Sequence, residues 1–332
     1  MYRPDILGVP AIALAILGTA IVAPAQAQLA PIPGTEIEGP ISSITVYPTA
    51  SQPTVTIPDP NGGPTPVTYT LSGEMRVMDV RILVRNDALI HTPTNGNVTL
   101  QQLNGARMPG RTQRGFIGGT AIVTGDSYQG VIYASDVFSD LFEHVVVGEA
   151  TRVADTDPND ELPGDLTVNN MAMTPSTDRR MPATTPVNGF GFEIEPDDID
   201  VGTLLAVEGY YSPSELKLYY HTLEADAAPP KNAGIREVSI MRAQCRLRDD
   251  GVELEVRGGV HDPADGTVRI LVQSAPGQPF IQVDTVTAVG DLETTPAQGE
   301  YRSRVDVELA ACPLRARARF GTATATAEFA SR

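Results

Sequence analysis

The chain of 332 residues has no tryptophan, only two cysteines and four histidines, and few basic groups: 24 Lys and Arg against 41 Asp and Glu. Each shortage excludes a class of function. Two cysteines and four scattered histidines cannot supply C-x-x-C-H or paired C-x-x-C ligands, which rules out haem attachment and zinc ribbons. A net charge of −17 opposes a broad electrostatic grip on nucleic acid or anionic lipid. Beyond residue 27 no apolar run approaches the ~20 residues that cross a bilayer as a helix. No nucleophile elbow occurs either, since Gly125-Asp126-Ser127-Tyr128-Gln129-Gly130 lacks the G-x-S-x-G spacing and reads as a hairpin turn.

What is present begins with an export pattern. Arg3, an apolar stretch over 6–22 and Ala25-Gln26-Ala27 have the form of a secretory signal with a small-x-small cleavage site. The expected mature chain starts at Gln28 as a periplasmic or secreted product, with no membrane span after cleavage. In such a compartment Cys245 and Cys312 are expected to form one disulfide.

Residues 28–36 read as a disordered leader. From there on, short β-branched alternating runs such as Ser43-Ile44-Thr45-Val46-Tyr47 and Val252-Glu253-Leu254-Glu255-Val256 lie between Asn-Gly, Asp-Gly and Pro signals, which predicts strands. The best helix candidate is 135–144, and it would support about one turn. An internal duplication organises the first two thirds. Val84-Arg85-Asn86-Asp87-Ala88-Leu89 and Thr92-Pro93-Thr94 return as Val168-Asn169-Asn170-Met171-Ala172-Met173 and Thr174-Pro175-Ser176. Arg107-Met108-Pro109 and Gly115-Phe116 return as Arg180-Met181-Pro182 and Gly189-Phe190, and the strand from Gly119 to Gly125 returns from Gly202 to Gly209. Ordered correspondences of this kind indicate two copies of one small β domain, over 37–144 and 145–231.

About five strands in some 80 residues fits a small barrel. The Gly-bounded strands from Gly119 to Gly125 and Gly202 to Gly209, each followed by a second strand, resemble the OB-like barrels found in tandem in exported bacterial proteins. Composition changes after the Ala-Ala-Pro-Pro-Lys linker at 227–231: residues 28–231 hold 11 basic and 26 acidic groups, and 232–332 hold 12 and 14. The last segment, with Cys312-Pro313, a strand over 314–320, Gly321 and an alternating strand over 322–329, resembles bacterial immunoglobulin-like sandwiches, without the core tryptophan of antibody domains. The expected fold is all-β: two tandem OB-like barrels plus a C-terminal immunoglobulin-like β-sandwich over 232–332.

Candidate sites are sparse. Asp155, Asp157 and Asn159 place oxygens at positions 1, 3 and 5 of a calcium-type loop, but Asp160 and Leu166 stand where that loop needs Gly and a bidentate Glu. Calcium is therefore the one cofactor the sequence suggests, against the plainer reading of a solvated acidic loop. The stretch 195–200 is a second such acidic segment. Aromatic residues of the second unit could stack a sugar, Tyr210 and Tyr219 being the candidates. His91, His144, His221 and His261 stand singly, without metal-ligand spacing. Arginines at 76, 81, 85, 107, 111 and 114 make the first unit locally basic, and the two units are expected to pair charge to charge, with Arg107 and Arg111 as the groups to test. The expected function is a non-catalytic structural or adhesive binding module of the cell envelope or extracellular matrix, its partner an envelope or matrix protein or a glycan, with no nucleic acid; the alternative is a polysaccharide-acting enzyme or accessory using paired Asp and Glu.

Overall fold

The computed structural model describes residues 30–141, 144–154, 164–226, 228–248, 250–261, 266–291 and 297–331. The export pattern and the loop carrying Asp155, Asp157 and Asn159 lie outside the described residues. The all-β expectation holds. The first group of elements is β1 (Ile32–Val46), β2 (Thr54–Ile57), β3 (Val67–Val77), β4 (Val80–His91), a short helix α1 (Leu100–Leu103), β5 (Thr120–Tyr128) and β6 (Val131–Asp140). Strand β1 pairs with β5 through its first part and with β3 through its last, and the register shifts between Ile41 and Ser43. Such an irregularity lets one long strand bend and serve two neighbours. The order β1-β3-β4-β6-β5-β1 closes a five-stranded barrel, antiparallel throughout except for β4 with β6. Alternation drives the closure: along β3 the residues Gly73, Met75 and Val77 face inward, and a register shift between Leu71 and Gly73 turns Leu71 to the other face, where it packs with Ile57, Leu83 and Tyr133.

The second group repeats this plan with shorter strands: β7 (His144–Val153), β8 (Leu166–Val168), β9 (Met171–Pro175), β10 (Val187–Asn188), β11 (Leu204–Ser212) and β12 (Lys217–Ala225). Its order β7-β8-β9-β12-β11-β7 closes a second barrel, and again the single parallel contact of the ring joins the third and last strands, β9 and β12. Both barrels thus have the OB-like order.

The third group contains β13 (Arg242–Arg248), β14 (Gly251–His261), β15 (Thr267–Gln273), β16 (Ile281–Thr287), β17 (Val289–Asp291), β18 (Gln298–Val307), β19 (Arg315–Phe320), β20 (Ala323–Glu328) and β21 (Ala330–Ser331). They form two sheets, β17-β18-β14-β13-β21 and β16-β15-β19-β20. A core of Val256, Val268, Ile270, Tyr301, Ala316 and Phe320 lies between them. Cys245 of β13 is bonded to Cys312 in the β18–β19 connection, beside buried Val252, Leu254 and Val272.

Several expectations are corrected. Ile32 already begins β1, so the segment 28–36 is not a disordered leader throughout. Residues 135–140 continue β6 and are not helical; the helix is α1, held by a capping box in which Thr99 Oγ1 accepts from Gln102 N–H and Gln102 Oε1 accepts from Thr99 N–H. The first pair of duplicated segments is also out of step. The β3–β4 turn has Met78 and Asp79 at φ 49° and 63°, and the β8–β9 turn has Asn169 and Asn170 at φ 49° and 65°. Val77-Met78-Asp79-Val80 is therefore the structural counterpart of Val168-Asn169-Asn170-Met171. Asparagine advertises a left-handed turn and methionine does not, so the sequence match settled on Asn86-Asp87 instead.

The barrels share a core. Met181 and Tyr210 of the second barrel are buried in the cluster formed by Met75, Leu103, Met108 and Phe116 of the first. Polar contacts also cross the junction: Thr92 Oγ1 donates to the Arg180 carbonyl at 2.6 Å and Asn95 Nδ2 to the Arg179 carbonyl at 2.8 Å, beside the Arg180 side chain. Arg180 Nε and Nη2 donate to the two carboxylate oxygens of Asp178, while Nη1 donates to the carbonyls of Ala106 at 2.9 Å and of Gln102, in the last turn of α1, at 3.2 Å. Cations favour the carbonyl end of a helix. Of the two arginines expected to pair the units, Arg107 is exposed, and Arg111 Nη2 donates to the Ile117 carbonyl of its own barrel.

The second barrel meets the sandwich through Asn188, which is fully buried. Its Nδ2 donates to Ala228 O and Gln298 Oε1, and its Oδ1 accepts from Phe190 and Phe192 N–H, so both donors and the acceptor are used. Gly259 allows the approach: a Cβ there would stand 2.4 Å from the Phe190 carbonyl oxygen.

Candidate functional site

Two features of the barrels have the makings of a site. The first is an open groove of about 720 Å³ on the first barrel, between the chain leaving β1, the outer part of β4 and the segment around α1. Tyr47, Gln52, Asn86, Asn97, Gln101 and Asn104 present amides and a phenol to it, and Arg85 and Arg114 flank it. No Asp or Glu is among its described lining residues, in a chain that holds 41 of them. Arg85 is fixed in place: it lies over the Tyr69 ring at 4.4 Å and is paired through two hydrogen bonds with Asp87 at 2.7 and 2.9 Å. Tyr69 in turn donates to Asp126 at 2.8 Å, and burial followed by that bond pushes its hydroxyl up to about 12. Arg114 Nε donates to the Asn104 carbonyl at 2.7 Å, bracing the far wall.

The second feature is a cluster where the barrels meet: Asp140 at the end of β6, Glu208 on β11 and His221 on β12. One ligand-type atom from each lies within 4.8 Å of the others. The local backbone explains why His221 is there. The register of β11 against β12 passes from Glu208 with Thr222 to Gly209 with Tyr220, so His221 is the extra residue of a bulge. The bulge interrupts alternation, and both Tyr220 and His221 are buried as a result. Gly209 makes this possible, since a Cβ on it would fall 2.1 Å from the Tyr219 carbonyl oxygen. The first barrel has the same bulge, passing from Thr124 with Asp136 to Gly125 with Ala134 and leaving Ser135 as the extra residue. Thr124 and Ser135 in one copy thus correspond to Glu208 and His221 in the other.

His221 has no exposed surface, and neither ring nitrogen has a hydrogen-bond partner. A buried imidazole with two unpaired nitrogens departs from the usual satisfaction of buried polar atoms. Burial lowers its pKa, with the Asp140 charge opposing. Burial raises that of Glu208, and Asp140 adds to the rise, against a hydrogen bond from Thr222 at 3.3 Å.

The residues singled out from the sequence come to different ends. Tyr210 is 1% exposed and stacks on Tyr219 with ring centroids 5.0 Å apart and planes 8° apart. The two rings face each other, so Tyr210 has no face left for a ligand and Tyr219 has one of its faces covered; its hydroxyl donates to Glu215. Cys245 and Cys312 are bonded as expected. His91 sits 3.3 Å from Asp136, His144 Nδ1 accepts from Tyr211 N–H, and His261 Nδ1 contacts the Ile235 carbonyl. Among the described residues, His221 alone of the histidines joins two carboxylates, a grouping made by β-sheet register that no linear spacing displays. The signal that could have found it is the duplication itself: two hydroxyl residues replaced by two titratable ones at matched positions. Among the described residues no helix is long and apolar enough to cross a membrane. Comparison with protein-family models and with curated proteins finds no match for this chain.

Proposed function

We propose that the chain is an exported, non-catalytic binding module of the cell envelope or extracellular matrix, and that the groove on its first barrel takes a hydroxyl-rich glycan segment. The observation that carries this reading is the lining: amides and hydroxyls flanked by two arginines, without a carboxylate. Amide and hydroxyl groups supply the paired donors and acceptors that sugar hydroxyls require. A glycosidase needs two carboxyl groups astride the scissile bond, and this lining offers none, which supports binding over hydrolysis. The disulfide is compatible with an oxidising compartment. The third unit serves as an immunoglobulin-like spacer in this reading; the sheet orders β17-β18-β14-β13 and β16-β15-β19-β20 support that assignment. The fixed junctions at Arg180 and Asn188 would present the groove at a set orientation.

The test is a glycan array followed by titration calorimetry of the mature protein with soluble neutral and uronate-containing polysaccharides. An Asn86→Ala/Gln101→Ala variant, altered at two exposed side chains, is expected to keep the wild-type melting temperature and lose at least about tenfold in affinity, the equivalent of one or two hydrogen bonds. No binding to any polysaccharide at millimolar concentration, or unchanged affinity in the variant, would overturn the assignment.

A further inference from the structure

We infer that Asp140, Glu208 and His221 form a binding site for a first-row divalent cation, with zinc as the representative ion, and that this ion ties the end of the first barrel to the second. The donor set is an imidazole and two carboxylates, which suits zinc and its neighbours and leaves a coordination position for water. The geometry is close to what an ion needs. Donors about 2.0–2.2 Å from a tetrahedral ion stand ~3.4 Å apart, and the three atoms here lie within 4.8 Å of one another. Side-chain movement of roughly an ångström closes the set, within the ordinary reach of carboxylate rotamers.

A second observation is independent of the cluster. The His221 ring is fully buried and both its nitrogens lack partners, and an ion would satisfy one of the two. The third is the comparison between copies. At the same bulge the first barrel keeps Thr124 and Ser135, and Ser135 Oγ donates to the Thr124 carbonyl at 3.3 Å. The barrel plan therefore does not require charged groups at this place; the second copy has them where the end of β6 brings Asp140 against it. Because one donor comes from the first barrel and two from the second, the ion acts as a cross-link. The site is separate from the glycan groove and does not depend on its assignment.

The experiment uses untagged mature protein. Metal content is measured by mass spectrometry, then the protein is stripped by chelator dialysis and titrated with zinc, and with cobalt(II) as a visible-absorption probe. Expected results are one zinc per chain, a melting temperature that rises with zinc, and a cobalt spectrum of low coordination number. The Glu208→Thr/His221→Ser variant copies the first barrel's residues and so keeps a combination this fold already accommodates. It is expected to lose at least about 100-fold in zinc affinity, the upper end for lost outer-shell partners alone, and its melting temperature is expected not to respond to zinc. His221→Gln serves as a second variant with the same expectation. Wild-type protein that takes up less than about a tenth of an equivalent and melts unchanged with zinc would overturn the inference. So would zinc retained by both variants, or zinc lost instead in an Asp155→Asn/Asp157→Asn variant.

Discussion

Replacing Arg180 by alanine tests how much its guanidinium contributes to the junction of the two barrels. The wild-type side chain is 8% exposed and donates to two backbone carbonyls and to both oxygens of Asp178. Removing one partner of a buried ion pair costs about 3–5 kcal/mol. Asp178 is 21% exposed and can recover some hydration, which places the expected loss at the lower end, about 3 kcal/mol. The matched control is Arg107→Ala, the same residue of the duplicated Arg-Met-Pro motif but exposed, for which a change within about 0.5 kcal/mol is expected. Urea unfolding followed by far-ultraviolet circular dichroism reads both, and in Arg180→Ala the barrel transition should move while that of the sandwich stays. A loss below about 1 kcal/mol, or an equal loss in the two variants, would refute the argument. The pH dependence has a definite sign. Burial raises Asp178, but the bonds from Arg180 outweigh it and hold the carboxyl below its ordinary range. Its share of stability is therefore present above about pH 4 and is lost as the pH falls through the depressed value.

Two further outcomes follow from features of the fold. The disulfide closes a separation of 67 residues, so Cys245→Ala/Cys312→Ala is expected to lower the stability of the sandwich by about 4 kcal/mol in the chain-entropy account; a shift under 1 kcal/mol, or an equal fall in the barrels, would contradict it. With ten tyrosines and no tryptophan, tyrosinate absorbance can be followed cleanly in alkali. Burial, assisted by Asp126 for Tyr69 and by Glu215 for Tyr219, pushes both up to about 12, and burial raises Tyr210, Tyr220 and Tyr301 as well. Groups raised in the folded state contribute stability that is whole below about pH 10 and lost above it. A staged titration ending in unfolding is expected, and all the tyrosines ionising together near pH 10 would count against it.

The parts of this molecule that follow local rules were legible in its residues. Alternation between turn signals gave the strands, and the repeated Gly-bounded strand gave the paired barrels, because both are written at short range. The Thr99-Leu100-Gln101-Gln102 capping box was equally local and could have marked α1. The remaining readings failed for separate physical reasons. Ser135 and His221 are bulge residues, and a bulge breaks the period of two that identifies a strand, so 135–144 looked helical and His221 looked isolated. Met78 adopts a left-handed turn conformation in a residue type that does not announce one. Tyr210 has the aromatic character of a ligand platform, but the cover it receives from the first barrel is a long-range contact that local sequence does not carry. The Asp140, Glu208 and His221 grouping exists only once two closed rings are set against each other.

The shared core has a consequence for how the chain comes to be folded. Met181 and Tyr210 complete the interior of a barrel whose last strand ends at Asp140, and Arg180 finishes the carbonyl end of its helix. A polypeptide emerging amino end first therefore holds all five strands of its first ring about forty residues before Arg180 and Met181 arrive and about seventy before Tyr210 does. During that interval the ring is open at one end, with apolar side chains exposed to whatever surrounds it. Truncation after the first copy would make the interval permanent, so the two copies can no longer be parted into independent domains even though each repeats the plan of the other.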